Sequence, residues 1–176
     1  MDNLSKDELK NMLHTVKKEW QKLMIVVAYN HGLRASEVLS ITPAHIDCGY
    51  LTVKRGKGSE ICIQKLVVHP EPEFDEKDRL LKLCEGKNRT QKLFPMTRFG
   101  FYALMQRTGI KLGIPKQRRH PHSLKHSCAM HMIKKEGIEF VRKRLGHVSI
   151  ASTGAYLKES NQATDEAYDR SIGAIA

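Results

Sequence analysis

The sequence has no CxxC pair; its four cysteines, Cys48, Cys62, Cys84 and Cys128, are widely separated. Neither a zinc ribbon nor a redox dithiol is expected from that spacing. The thiols read as reduced and mostly buried. No apolar run approaches the roughly 20 residues that span a bilayer. Residues 1–20 are too charged for a secretory signal. The expectation is a cytoplasmic protein with no membrane partner. HExxH is also missing, so His122 and His126, spaced as zinc ligands on a helix, lack the glutamate that would accompany them. There is no internal repeat and no low-complexity tract.

Acidic residues are scarce: 19 Asp and Glu stand against 30 Lys and Arg, a net charge of +11. That excess points to a polyanionic partner, nucleic acid first and an anionic membrane second. The charge is clustered, with four basic residues in 111–119 and five in 134–144. Lys116, Arg118, Arg119, Lys143 and Arg144 are expected on DNA backbone phosphates. Such contacts set affinity and salt dependence rather than sequence choice.

At 176 residues the chain suits one compact domain with a sizeable core. Ser5 and Glu8 form a capping-box pattern, so a first helix starts at Ser5, with Leu9, Met12, Leu13 and Val16 at helical spacing. Residues 23–29 are strongly apolar and predict a buried helix that ends at Gly32. A helix restarts over residues 33–39, and Pro43 suits a helix start or a turn. Residues 50–55 and 61–68 predict two strands, joined by a turn at Gly56-Lys57-Gly58-Ser59. Further helices are expected over 75–84, from Thr97 to Lys111, from near Ser123, and in the basic stretch before Gly146.

Phosphoryl transfer on DNA needs cationic donors aimed at the phosphate oxygens, an in-line nucleophile and an acid for the leaving oxygen. The sequence offers each type where the chain is expected to turn. Arg34 follows the Gly32 break at a helix start, where backbone N–H groups favour phosphate. Lys57 sits at the hairpin tip, with Lys54 and Lys65 as neighbouring alternatives. His122 and Lys125 share one helix face. His147 follows Gly146, and Tyr156 lies nine residues further on (156 − 147). A tyrosine oxygen can form a covalent ester with phosphorus, which makes Tyr156 the candidate nucleophile and Tyr168 the fallback. Glu37 is expected to buttress Arg34. His120, His126 and His131 read as packing residues, and Leu124, Cys128 and Met132 as core.

Four boxes in order resemble the tyrosine recombinase (phage integrase) family. They are His31-Gly32-Leu33-Arg34-Ala35-Ser36-Glu37, Gly56-Lys57-Gly58, His122-Ser123-Leu124-Lys125-His126, and Leu145-Gly146-His147 followed by Tyr156. The resemblance implies a mostly helical α+β catalytic domain with a small antiparallel sheet. It implies catalytic roles for Arg34, Lys57, His122, Lys125, His147 and Tyr156. Tyr156 would attack the phosphate to give a 3′-phosphotyrosine, with Arg34 clamping the non-bridging oxygens and Lys57 as general acid. His122 and His147 would hydrogen-bond the phosphate, and His122 would accept the tyrosine proton. No metal and no nucleotide cofactor is implied.

The second box carries Lys125 where the family has arginine, which keeps the charge but loses the planar fork. The implied domain covers residues 1–176, with a core of about 5–158 and a tail, 159–176, that docks on a neighbour. The 33 residues before Arg34 are too few for the family's separate DNA-clamping domain. The implied partners are double-stranded DNA and further copies in a tetramer, in a bacterial, archaeal or phage-infected cell. Type IB topoisomerases, telomere resolvases and a decayed, non-catalytic DNA-binding module remain open alternatives.

Overall fold

Ser5 begins the first helix as its sequence asks. Its hydroxyl accepts from the Glu8 N–H at 3.0 Å, and Glu8 Oε2 accepts from the Ser5 N–H at 2.8 Å. This computed structural model describes residues 3–54, 61–136 and 138–145, the side chains of residues 138, 139, 142 and 143 excepted. Helix α1 (Lys6–Thr15) buries Leu9, Met12 and Leu13. Helix α2 (Glu19–Asn30) buries every residue from Leu23 to Ala28. Over these six residues the helix is apolar on all sides and runs through the core, while Glu19 in its first turn is exposed. It stops at Gly32, whose φ of +58° turns the chain back in the left-handed region. Helix α3 (Ala35–Val38) follows at once, with Arg34 as its N-cap.

A short turn of 3-10 helix at Pro43–His45 leads into three antiparallel strands in the order β1-β2-β3: β1 (Ile46–Asp47), β2 (Tyr50–Lys54) and β3 (Ile61–Lys65). Leu51 pairs with Gln64 and Val53 with Cys62, and these four side chains form the buried face. Strand β1 is an addition to the two expected strands. It is two residues long, and it turns through Cys48 (φ 46°) and Gly49 (φ 80°). Two consecutive positive φ values suit a tight hairpin turn, and a cysteine rarely announces one.

Helix α4 (Lys77–Cys84) precedes α5 (Arg98–Lys111), where Thr97 Oγ1 accepts from the Gly100 N–H at 3.0 Å. Helix α6 (Pro121–Glu136) starts two residues before Ser123, because Pro121 fits a first helical turn that needs no N–H donor. Helix α7 (Ile138–Leu145) packs on α6 and β3. Leu33, Leu51, Phe94 and Phe101 lie in the main core at 0 % exposure. Burying a side chain of this size contributes about 1.5–3 kcal/mol. Ala129, Met130, Ile133, Val141 and Leu145 form a second, smaller cluster that fastens α7 to α6. Among the described residues no helix is long and apolar enough to cross a membrane.

Candidate active site

The turn between α2 and α3 delivers Arg34. Its backbone N–H donates to Glu37 Oε2 at 2.8 Å, and its Nη1 donates to Glu37 Oε1 at 2.9 Å. Glu37 is buried and Arg34 is 45 % exposed, so a fixed carboxylate holds a guanidinium that still faces solvent. This is the buttressing expected of Glu37. The turn itself rests on α7: a Cβ at residue 32 would overlap Leu145 Cδ2. Glycine is therefore needed here both for its φ and for its lack of a side chain.

The first turn of α6 delivers His122. Its ring lies edge-on to His126, centroids 4.4 Å apart, and stacks with His120 at 6.4 Å. Arg34, Arg98, Phe99, Tyr102, His120 and His122 line one hollow of about 570 Å³. Lys125, one turn further along α6, is buried at 2 % exposure. Shielding from water pushes the His122 pKa down to about 4, and the positive neighbours His126, Lys125, His120 and Arg34 push in the same direction. Arg34 and His122 therefore share one electropositive hollow, and the buried Lys125 adds its charge next to His122 without lining that hollow. Lys57, His147 and Tyr156 lie outside the described residues.

The basic run before α6 divides. Lys116 is exposed. Arg118 Nη1 donates to Glu8 Oε2 at 2.8 Å and to the Asn3 carbonyl at 3.0 Å. Arg119 Nε donates to the Ile114 carbonyl, and its stem fills the space over Gly109. Arg118 thus ties the α5–α6 connection to the start of α1, and Arg119 braces that connection from within; both arginines make these internal bonds with one of several N–H donors. The carbonyl of Arg144 accepts an internal hydrogen bond from Gln64, and the Lys143 side chain lies outside the described residues.

The sequence motifs did not bring out Arg98, Phe99 and Tyr102. Their signal was present: Thr97 caps α5, which puts the next residues on its exposed first turn. Tyr29 is unsuited as a nucleophile. Burial, with Cys128 and Glu71 adding to it, raises its pKa well above the usual phenol value, and its hydroxyl pairs with His131 Nδ1 at 2.8 Å.

The family model described as "Phage integrase family" matches residues 2–163. The chain belongs to the phage integrase family. Tyrosine recombinase XerA of Pyrococcus furiosus is 28% identical over 184 residues, covering 96% of this chain and 61% of that protein. The crystal structure of XerA recombinase superposes with a TM-score of 0.72 at 22% identity, over 96% of this chain and 64% of that one. XerH site-specific recombinase, in a post-cleavage complex with a palindromic difH substrate, gives 0.69 at 23% identity, over 95% of this chain and 52% of that one. The chain spans about three fifths of the curated relatives it matches. The structural likenesses establish an integrase catalytic fold: a mostly helical α+β domain with a small antiparallel sheet.

In this integrase domain the His122 ring has a measurable titration. Its folded pKa, about 4, lies below the ordinary histidine value of 6.5, so the ring is neutral at pH 7. As pH falls from 6.5 toward 4 the unfolded chain takes up a proton that the folded chain refuses. The stability contribution of this group is therefore complete above that window and lost across it. An anion added to the hollow should move the pKa upward. An NMR titration of the His122 ring, with and without added inorganic phosphate, checks both the low starting value and the direction of the shift.

Proposed function

We propose that this domain breaks and rejoins DNA strands as a site-specific recombinase, through a covalent 3′-phosphotyrosine at Tyr156. One observation carries this. Arg34 and His122, from distant parts of the chain, meet at one hollow lined with cations, of a volume typical of ligand sites. The charge that develops on a phosphodiester under attack needs such preorganised donors.

The phenolic oxygen of Tyr156 bonds to phosphorus as the bond from phosphorus to the 5′-oxygen breaks. The phenolic proton passes to the neutral His122, whose basicity rises when the phosphate arrives. Lys57 supplies a proton to the 5′-oxygen. Arg34 holds the non-bridging oxygens, with His147 as a further donor and Lys125 adding positive charge. Attack by a 5′-hydroxyl reverses the step and rejoins the strand. The ester conserves the bond energy, so no nucleotide cofactor enters. Subunits assemble as a tetramer on two duplexes, residues 159–176 dock on a neighbour, and the substrate is DNA of a phage, plasmid or other mobile element.

The test uses a pool of nicked duplexes with randomised flanking sequence, in which the released strand end diffuses away. The expected result is a protein–DNA adduct that survives denaturation. Joined products at one selected sequence support recombination, whereas relaxation of supercoils without sequence preference favours a type IB topoisomerase. Absence of any adduct leaves a DNA-binding module without catalysis, a reading to which Lys125 would lend weight.

A further inference from the structure

Gln64 lies on the inward face of β3, where strand alternation calls for an apolar side chain. Its Nε2 donates to the Arg144 carbonyl at 2.6 Å, and its Oε1 accepts from His31 Nδ1 at 2.7 Å. The other nitrogen of His31 meets Glu76 Oε1 at 2.5 Å. Glu76 also accepts from the Val67 N–H at 2.9 Å and from Asn30 Nδ2 at 3.0 Å. His31 and Glu76 are at 0 % exposure and Gln64 at 4 %. Four segments thus converge on one buried polar cluster: the end of α2, strand β3, the start of α4 and the end of α7.

Each arm of the cluster leads to a different part of the site. His31 is three residues before Arg34, β3 leaves the hairpin that carries Lys57, and Arg144 is three residues before His147. A second, independent contact joins two of these arms, because Leu145 at the end of α7 packs where Gly32 lacks a Cβ. We propose that Gln64 is a positioning residue. It fixes the C-terminal end of α7 in register with the Arg34 turn, and His147 follows that end by two residues in the sequence. Its amide is suited to this because one end is a donor and the other an acceptor. The Arg144 carbonyl takes the donor end, which leaves the oxygen for His31. An apolar residue fills the space but makes neither bond, and a carboxylate cannot donate to the carbonyl.

This rests on the recombinase function proposed above, so two readouts are needed. Gln64→Met preserves length and volume, and Gln64→Glu preserves shape. In either variant the single-turnover rate of adduct formation on the nicked-duplex pool should fall about 10- to 100-fold, as when groups that orient catalytic side chains are removed. The Kd for the same DNA should stay within about twofold, since the residue lies in the interior and touches no phosphate. Hydrogen exchange should quicken across residues 138–147 and stay unchanged across α5. Unchanged exchange at 138–147 overturns the proposal, as does a loss of rate matched by an equal loss of DNA affinity. If the wild-type chain forms no adduct, it is the recombinase function that fails, and the exchange experiment still decides the role of Gln64.

Discussion

Replacing Arg34 by alanine should slow strand cleavage by about 10²- to 10³-fold, the loss that follows removal of one preorganised donor to a developing anion. The fold should survive. Arg34 is 45 % exposed, and Glu37 keeps its bond to the backbone N–H of residue 34. A partly exposed ion pair of this kind contributes about 0–1 kcal/mol. Arg34→Lys should recover only part of the rate, because an ammonium lacks the planar fork that grips two phosphate oxygens. Single-turnover kinetics beside a thermal melt separate the two effects. A cleavage rate within about threefold of wild type in Arg34→Ala would remove this residue from the chemistry.

Glu76→Ala should destabilise the fold far more than Arg34→Ala does. The carboxylate is fully buried and accepts from His31, Val67 and Asn30. Its removal takes the partner from one nitrogen of the buried His31 ring and from the Val67 N–H, while Asn30 keeps the Phe74 carbonyl and His31 keeps Gln64. Breaking a buried pair costs about 3–5 kcal/mol, a large share of the roughly 5–15 kcal/mol that holds a domain folded. Glu76→Gln retains an oxygen acceptor and the shape, and should cost less, about 1–3 kcal/mol. Urea denaturation of both variants checks the order. Equal, small losses would mean that water or rearranged neighbours satisfy His31 and the Val67 N–H.

Local signals carried most of the helix boundaries. Ser5 and Thr97 cap as their side chains predict, and Gly32 ends α2 because only glycine tolerates both the turn and the nearness of Leu145. Strand β1 escaped notice because two residues hold too little pattern, and its turn uses Cys48 at positive φ. At the site, motif spacing brought out Arg34, His122 and Lys125; the fold brings Arg34 and His122 to one hollow and keeps Lys125 buried one turn from His122. The burial of Lys125 was not legible, since a lysine on the same helix face as a histidine expected to meet phosphate reads as surface. The internal bonds of Arg118 and Arg119 were hidden for a related reason. A run of charges in sequence does not say which members turn inward, and here Glu8 and the Ile114 carbonyl claim them. The His31–Gln64–Glu76 cluster was beyond local reading. Each residue looks ordinary, and the partners lie 33, 45 and 80 positions apart.

The proposed chemistry stands or falls on whether a tyrosine delivered to the Arg34–His122 hollow becomes esterified to a DNA phosphate. Tandem mass spectrometry of the denatured adduct from the nicked-duplex pool reads this out residue by residue. A nucleotide remnant should appear on the peptide containing Tyr156, lost in Tyr156→Phe and retained in Tyr102→Phe, a phenol that lines the same hollow. Attachment at Tyr102 or Tyr168, or an adduct that persists in Tyr156→Phe, would contradict it.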